Sequence, residues 1–132
     1  KPSTCNLRLF NMQLSTGVDL IEIERIASAI ARHGERFLNR IFTARELADC
    51  NGRAESLAAR FAAKEATAKA LGTGFGEIAW DEVEIQRAEN GAPTLILYGK
   101  AAKIAEEEKL TTWSVSLSHS QSHAIAMVVG IG

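Results

Sequence analysis

The sequence predicts an α+β fold, a mostly antiparallel sheet packed with helices, and three observations carry that prediction. The first half holds helical periods. Apolar residues recur three and four apart between Ile23 and Ile30, and an alanine-rich run from Ser56 to Gly72 has high helix propensity. The second half changes period: Trp113-Ser-Val-Ser-Leu-Ser-His119 alternates strictly, with Trp113, Val115 and Leu117 on one face and serines on the other. Between these stretches, Asn90-Gly91 separates two short alternating runs, Val83/Ile85 and Leu95/Leu97, as in a β-hairpin.

In chain order, Lys1–Asn11 has no clear period and reads as a leader or extended N-terminus, with Met12 as a possible start; residues 12–132 read as one domain. Gln13 to Gly17 suits a short strand, and a glycine there permits close backbone approach. Asp19 follows at the expected strand-to-helix junction, where a carboxylate is ordinarily an N-cap. A helix is expected from about Leu20 to His33, with Ile23, Ile26, Ala27 and Ile30 as its core stripe. Arg25 and Arg32 lie on its other side, and Gly34 breaks the helix before Arg36 can extend the row. Thr43 and Glu46 form a capping box opening a short helix to about Cys50, and Asn51-Gly52 is a turn.

The Ser56–Gly72 helix takes Ser56 as N-cap and Gly72 as C-terminal glycine cap. Gly72-Thr-Gly74-Phe-Gly76 is a glycine-rich exit without the spacing of a P-loop. Gly99 to Lys109 reads as an amphipathic helix, and Ala124 to Val129 as a final apolar strand.

Composition excludes several classes. Lys and Arg number 15 against 16 Asp and Glu, a net charge of −1, so the whole molecule offers no basic field to nucleic acid. No apolar run approaches the ~18–20 residues that span a bilayer. Cys5 and Cys50 are unclustered and read as reduced cytosolic thiols. His33, His119 and His123 lack metal-ligand spacing, and no Gly-x-Ser-x-Gly elbow is present.

The organising helix carries unusual charge. Arg60, Lys64, Glu65 and Lys69 sit among alanines; Glu65 and Lys69 share one face, Arg60 and Lys64 a neighbouring ridge. One carboxylate among three cations suits a metal ion beside a polyphosphate, and equally an ordinary solvated helix with i,i+4 pairs.

Gly17-Val-Asp19-Leu-Ile-Glu-Ile-Glu-Arg25, then Arg40-Ile-Phe-Thr43-x-x-Glu46, then Arg60-Phe-Ala-Ala-Lys64-Glu65-Ala-x-x-Lys69-Ala-x-Gly72-Thr-Gly74, and last Val115-Ser-Leu-Ser-His119 resemble holo-acyl-carrier-protein synthase, the short bacterial type of 4′-phosphopantetheinyl transferase. The resemblance covers nearly the whole chain from Met12. It implies that family's fold, a cytoplasmic homotrimer with sites across subunit interfaces, and transfer of 4′-phosphopantetheine from coenzyme A to a serine of acyl carrier protein, releasing adenosine 3′,5′-bisphosphate. By resemblance Asp19 and Glu65 are ligands of Mg²⁺, and Lys69 joins them as a catalytic residue; Lys69, Glu65 or a metal-bound water would be the base. Ile21 stands where longer relatives place another acid, implying water at that coordination position. Arg60, Lys64, Gly72, Gly74 and His119 would contact coenzyme A. Arg25, Arg32 and Arg36 would dock the acidic carrier protein. Ser15 departs from the first glycine of Gly-x-Gly-x-Asp. A different metal-dependent phosphohydrolase and an inactive binding module are the competing readings; intact Asp19, Glu65 and Lys69 disfavour the second.

Overall fold

A computed structural model describes residues 12–132; the expected leader at 1–11, with Cys5, lies outside the described residues. The elements run β1 (Leu14–Glu22), α1 (Ile23–His33), α2 (Glu35–Ile41), α3 (Ala44–Cys50), α4 (Ala54–Leu71), a 3₁₀ turn (Trp80–Glu82), β2 (Val83–Arg87), β3 (Pro93–Leu97), α5 (Gly99–Glu107), β4 (Thr112–His119) and β5 (His123–Ile131). Strands β1, β5 and β4 form a three-stranded antiparallel sheet in that order, and β2 and β3 form a separate antiparallel hairpin. The α+β class with antiparallel pairing is the one the two sequence periods predict.

Helix α2 is not expected from the sequence, α1 begins at Ile23 rather than Leu20, and two further boundaries differ from expectation. β1 does not stop near Gly17 but continues to Glu22, because every residue from Leu14 to Glu22 has a partner on β5. Asp19 therefore sits within a strand rather than at a helix N-cap. The long helix begins at Ala54 with Arg53 at its N-cap, so Ser56 lies inside the first turn, where Arg53 Nε donates to its hydroxyl. Other local signals hold. The Thr43/Glu46 capping box is formed, Gly34 (φ 55°) separates α1 from α2, and Gly72 closes α4 in the left-handed conformation.

Helix α4 lies against the three-stranded sheet through alanines. Ala58, Ala62, Ala63 and Ala66 are wholly buried, facing Ala124, Ala126, Val128 and Val115 of β5 and β4. Small side chains on both surfaces let the layers approach closely. Gly17 marks the tightest approach: a Cβ there would lie 1.8 Å from the Ala66 carbonyl oxygen. Ser15, the departure noted in the sequence, belongs to the same contact. Its hydroxyl donates to the Ala70 carbonyl at 2.6 Å, satisfying one of the acceptors that a helix end leaves unpaired.

Alternation along β1 places Ser15, Gly17, Asp19 and Ile21 toward α4 and Leu14, Val18 and Leu20 outward. The outward residues, with Ile125, Met127 and Ile131 of β5, are exposed and apolar. Among the described residues no helix is long and apolar enough to cross a membrane.

Candidate active site

The β1–α4 contact sets the site. Because Gly17 admits the α4 backbone, Asp19, two residues on, faces the helix surface that carries Glu65 and Lys69. Asp19 and Glu65 line one cavity of about 300 Å³, together with Arg25 and Ile26 of α1, Phe37 of α2 and Phe61 of α4. Lys69, one turn beyond Glu65, donates from Nζ to Asp19 Oδ1 at 3.1 Å and to the Val18 carbonyl at 3.0 Å. Burial raises the Glu65 pKa above the usual carboxylate range, the Asp19 charge raises it further, and Lys69 opposes both. The two acids are thus close enough to sense each other.

That donor set fits a hard divalent cation. Carboxylate oxygens suit it, and their mutual repulsion is what such an ion relieves. Among the described residues no cluster of three or more His, Cys, Asp or Glu side chains is placed to hold a metal, so an ion here would take its remaining positions from water or substrate oxygens.

The other expected coenzyme A contacts do not converge on this cavity. Lys64 is fully buried and turned away from it: Nζ pairs with Glu46 Oε1 at 2.9 Å and donates to the Trp80 and Val83 carbonyls. Burial pushes the Lys64 pKa down while Glu46 holds it up. Lys64 is therefore a structural tie rather than a phosphate contact, because a fully enclosed ammonium with three acceptors has no donor left for a ligand. Its partner Glu46 also accepts from the Thr43 and Ile85 N–H groups. The capping box announced one of those bonds; nothing in the sequence announced the ion pair.

Arg60 is nearly buried at the floor of a second hollow with Arg53, Arg87, Asp49 and Ser56, and its Nε lacks a hydrogen-bond partner among the described residues. An unpartnered guanidinium N–H beside two further arginines is an anion-seeking arrangement. Burial works to raise the Asp49 pKa, but the Arg87 N–H and the Arg45 guanidinium outweigh it and hold that carboxyl low. His119, exposed at the end of β4, borders a third hollow with Ile23, Glu55, Ser120 and Gln121. The Gly72 N–H is engaged in the helix cap, so it is not a free phosphate donor. The Gly74 carbonyl accepts from Glu77 and Ile78, and its own backbone lies in the exposed turn that follows α4.

Arg25 borders both the acidic cavity and a neighbouring surface hollow with Glu22, Glu24, Arg32 and His33, so Arg25 and Arg32 share one face of α1. Arg36 is exposed on α2, past the Gly34 break. Phe37 and Phe61 line the same cavity; Phe61 stands inside the family-like motif between Arg60 and Lys64 without an expected role there, and Phe37 gives no sequence signal beyond core packing.

A 4′-phosphopantetheinyl transferase superfamily model matches residues 15–128. The chain belongs to that superfamily. Within it, the sequence is 52% identical over 126 residues to the holo-[acyl-carrier-protein] synthase of Herpetosiphon aurantiacus, covering 90% of this chain and 99% of that one. It is 44% identical over 122 residues to the synthase of Koribacter versatilis, covering 89% and 98%. The structure of the Helicobacter pylori synthase in complex with coenzyme A aligns with a TM-score of 0.80 at 31% identity, over 87% of this chain and 98% of that one. The superfamily expected from the Gly-x-Asp and Lys-Glu-x-x-x-Lys motifs is the one found.

Proposed function

We propose that this transferase is a holo-acyl-carrier-protein synthase, residues 12–132 forming its one domain, and that it moves 4′-phosphopantetheine from coenzyme A to a serine of apo acyl carrier protein. The observation that carries the reading is the meeting of Asp19 and Glu65 at one cavity with Lys69 ion-paired beside them. In this reading the serine hydroxyl attacks the β-phosphorus of coenzyme A and loses its proton. The bond to the bridging oxygen breaks, and adenosine 3′,5′-bisphosphate departs. Asp19 and Glu65 would hold Mg²⁺, which supplies neutralisation of pyrophosphate charge. Lys69 is placed to orient or deprotonate the hydroxyl, Glu65 being the alternative base. Arg60, with its unpartnered Nε, would take a phosphate of coenzyme A, and His119 and the Gly74 turn would border the same ligand. Arg25 and Arg32, with Arg36 further along, would steer the acidic carrier protein toward the cavity.

We further propose a cytoplasmic homotrimer with sites at subunit interfaces. The exposed apolar face of β1 and β5 supports association: Leu14, Val18, Leu20 and Met127 are each at least half exposed in one chain, and Leu20 also borders the catalytic cavity. A neighbouring copy seated there would reach the site and could bring the separated hollows to bear on one ligand. Val18→Glu should therefore sediment as a monomer and lose activity; a variant sedimenting as a fully active trimer argues against this face.

The decisive experiment is mass spectrometry of an apo carrier protein after incubation with the chain, coenzyme A and Mg²⁺. The phosphopantetheine increment is expected. Glu65→Gln should abolish Mg²⁺-dependent transfer with an unchanged circular dichroism spectrum, and full activity in that variant would refute the ligand assignment.

A further inference from the structure

Resting on the reading of Asp19 and Glu65 as cation ligands, we propose that Lys69 is an internal competitor for that cation, holding Asp19 until a divalent ion displaces it. Lys69 Nζ lies 3.1 Å from Asp19 Oδ1, hydrogen-bonded to an oxygen that the ion would also use. An ammonium and a divalent ion on one carboxylate repel with twice the Coulomb energy of two unit charges at the same separation, so each weakens the other's hold on Asp19.

The local architecture suits exchange. The Lys69 side chain is 58% exposed and Asp19 20% exposed, so the pair is water-accessible and weak enough to open. Its second contact, the Val18 carbonyl, belongs to the same strand as Asp19, so both tethers release in one movement of a flexible four-carbon stem. Glu65, one helical turn back on α4, has no such freedom: it is partly buried at the cavity wall. Arg25, the other cation at the cavity, comes from a different helix and forms no ion pair among the described residues, so it does not compete in this way.

The consequence is an order of events. The Lys69 ammonium becomes available to substrate only after the ion has taken Asp19, so ion binding readies both ligand and lysine together. Lys69 also keeps Asp19 aimed at α4 beforehand, which makes it a positioning residue as well as a participant.

The test uses Mn²⁺ alone, with the free ion followed by electron paramagnetic resonance. Lys69→Met should bind Mn²⁺ about three- to tenfold more tightly than the parent protein, the range set by losing a solvent-exposed pair plus the residual repulsion. Lys69→Arg, which keeps the charge, should stay near the parent affinity. Equal or weaker binding by Lys69→Met, with an unchanged melting curve, overturns the competition. Asp19→Asn separates the two layers of the reading: if it binds Mn²⁺ as well as the parent, the ion is not at Asp19 and both the ligand assignment and the competition fall. A measurement on the unmodified sequence guards against a misfolded variant. Labelling of Lys69 by an amine-reactive reagent, read by peptide mass spectrometry, should increase when Mg²⁺ is added, and constant labelling contradicts the displacement.

Discussion

Replacing Gly17 by alanine tests the contact on which the site depends. The new Cβ would lie 1.8 Å from the Ala66 oxygen, 2.8 Å from the Ala66 carbonyl carbon and 3.1 Å from the Ala70 nitrogen. All three are backbone atoms, so no rotamer change relieves them. Moving from 1.8 Å to the 3.4 Å of an ordinary contact asks α4 to retreat from β1 by about 1.6 Å. Overpacking in cores costs ~1–3 kcal/mol, and a clash confined to backbone belongs at the upper end. At ~3 kcal/mol the melting temperature of a chain this size falls by roughly 10 °C. Function suffers more, because Ala66 and Ala70 each adjoin a site residue, Glu65 and Lys69. A 1 Å misplacement in an active site costs ~10²-fold, so phosphopantetheine transfer should drop by at least that factor. The assays are a thermal melt and the mass-spectrometric transfer assay on the same sample. A Gly17→Ala protein melting within about 2 °C of the parent and turning over at the parent rate would show that α4 does not bear on β1 as described.

Two further outcomes follow from charged groups away from the cavity. Lys64→Met leaves the Glu46 carboxylate buried without its cation and should cost ~3–5 kcal/mol in urea denaturation; a loss below ~1 kcal/mol would mean that Lys64 contacts solvent or ligand instead. Glu84 carries the expected pH dependence. Burial acts to raise its pKa, but bonds from Thr43, Gln86 and Tyr98 outweigh burial and lower it. A depressed folded-state pKa gives stability that is full above the ordinary glutamate value of ~4.3 and lost as pH falls through the lower folded value. Glu84→Gln should therefore melt below the parent protein at pH 7, with the gap closing in acid; a gap independent of pH contradicts the sign.

Much of this architecture was written in short-range signals. The Thr43/Glu46 box, the Gly34 stop, the Asn51-Gly52 turn and the alternation of β4 are satisfied locally, within one or two turns of chain, and they appear as expected. What stayed hidden depends on partners far away. β1 runs past Gly17 only because β5, more than a hundred residues later, supplies a full ladder to Glu22. Periodicity placed Arg60 and Lys64 on one ridge but could not say what each end meets. Lys64 sinks onto Glu46 and two carbonyls, while Arg60 reaches a hollow lined by other arginines. The pairing of Asp19 with Glu65 and Lys69 came from family likeness, not from spacing. The glycine at residue 17 did announce a close backbone approach, but that the approaching backbone is that of Ala66 and Ala70 is visible only once sheet and helix are seen together.

Helix α4 sends neighbouring residues in opposite directions: Lys64 inward to a sealed ion pair, Glu65 outward to the cavity, Lys69 to the strand edge. Such an arrangement is an indexing device, in which angular position alone assigns each charge its task. Inserting one residue between Phe61 and Lys64 would rotate everything downstream by about 100°, turning the buried ammonium toward the cavity and driving the Glu65 carboxylate into the sealed position that Ala66 holds against Gly17. Length changes in this segment are therefore far less tolerable than substitutions at its alanines. Variation that preserves the catalyst must conserve the count of residues here before it conserves their kind.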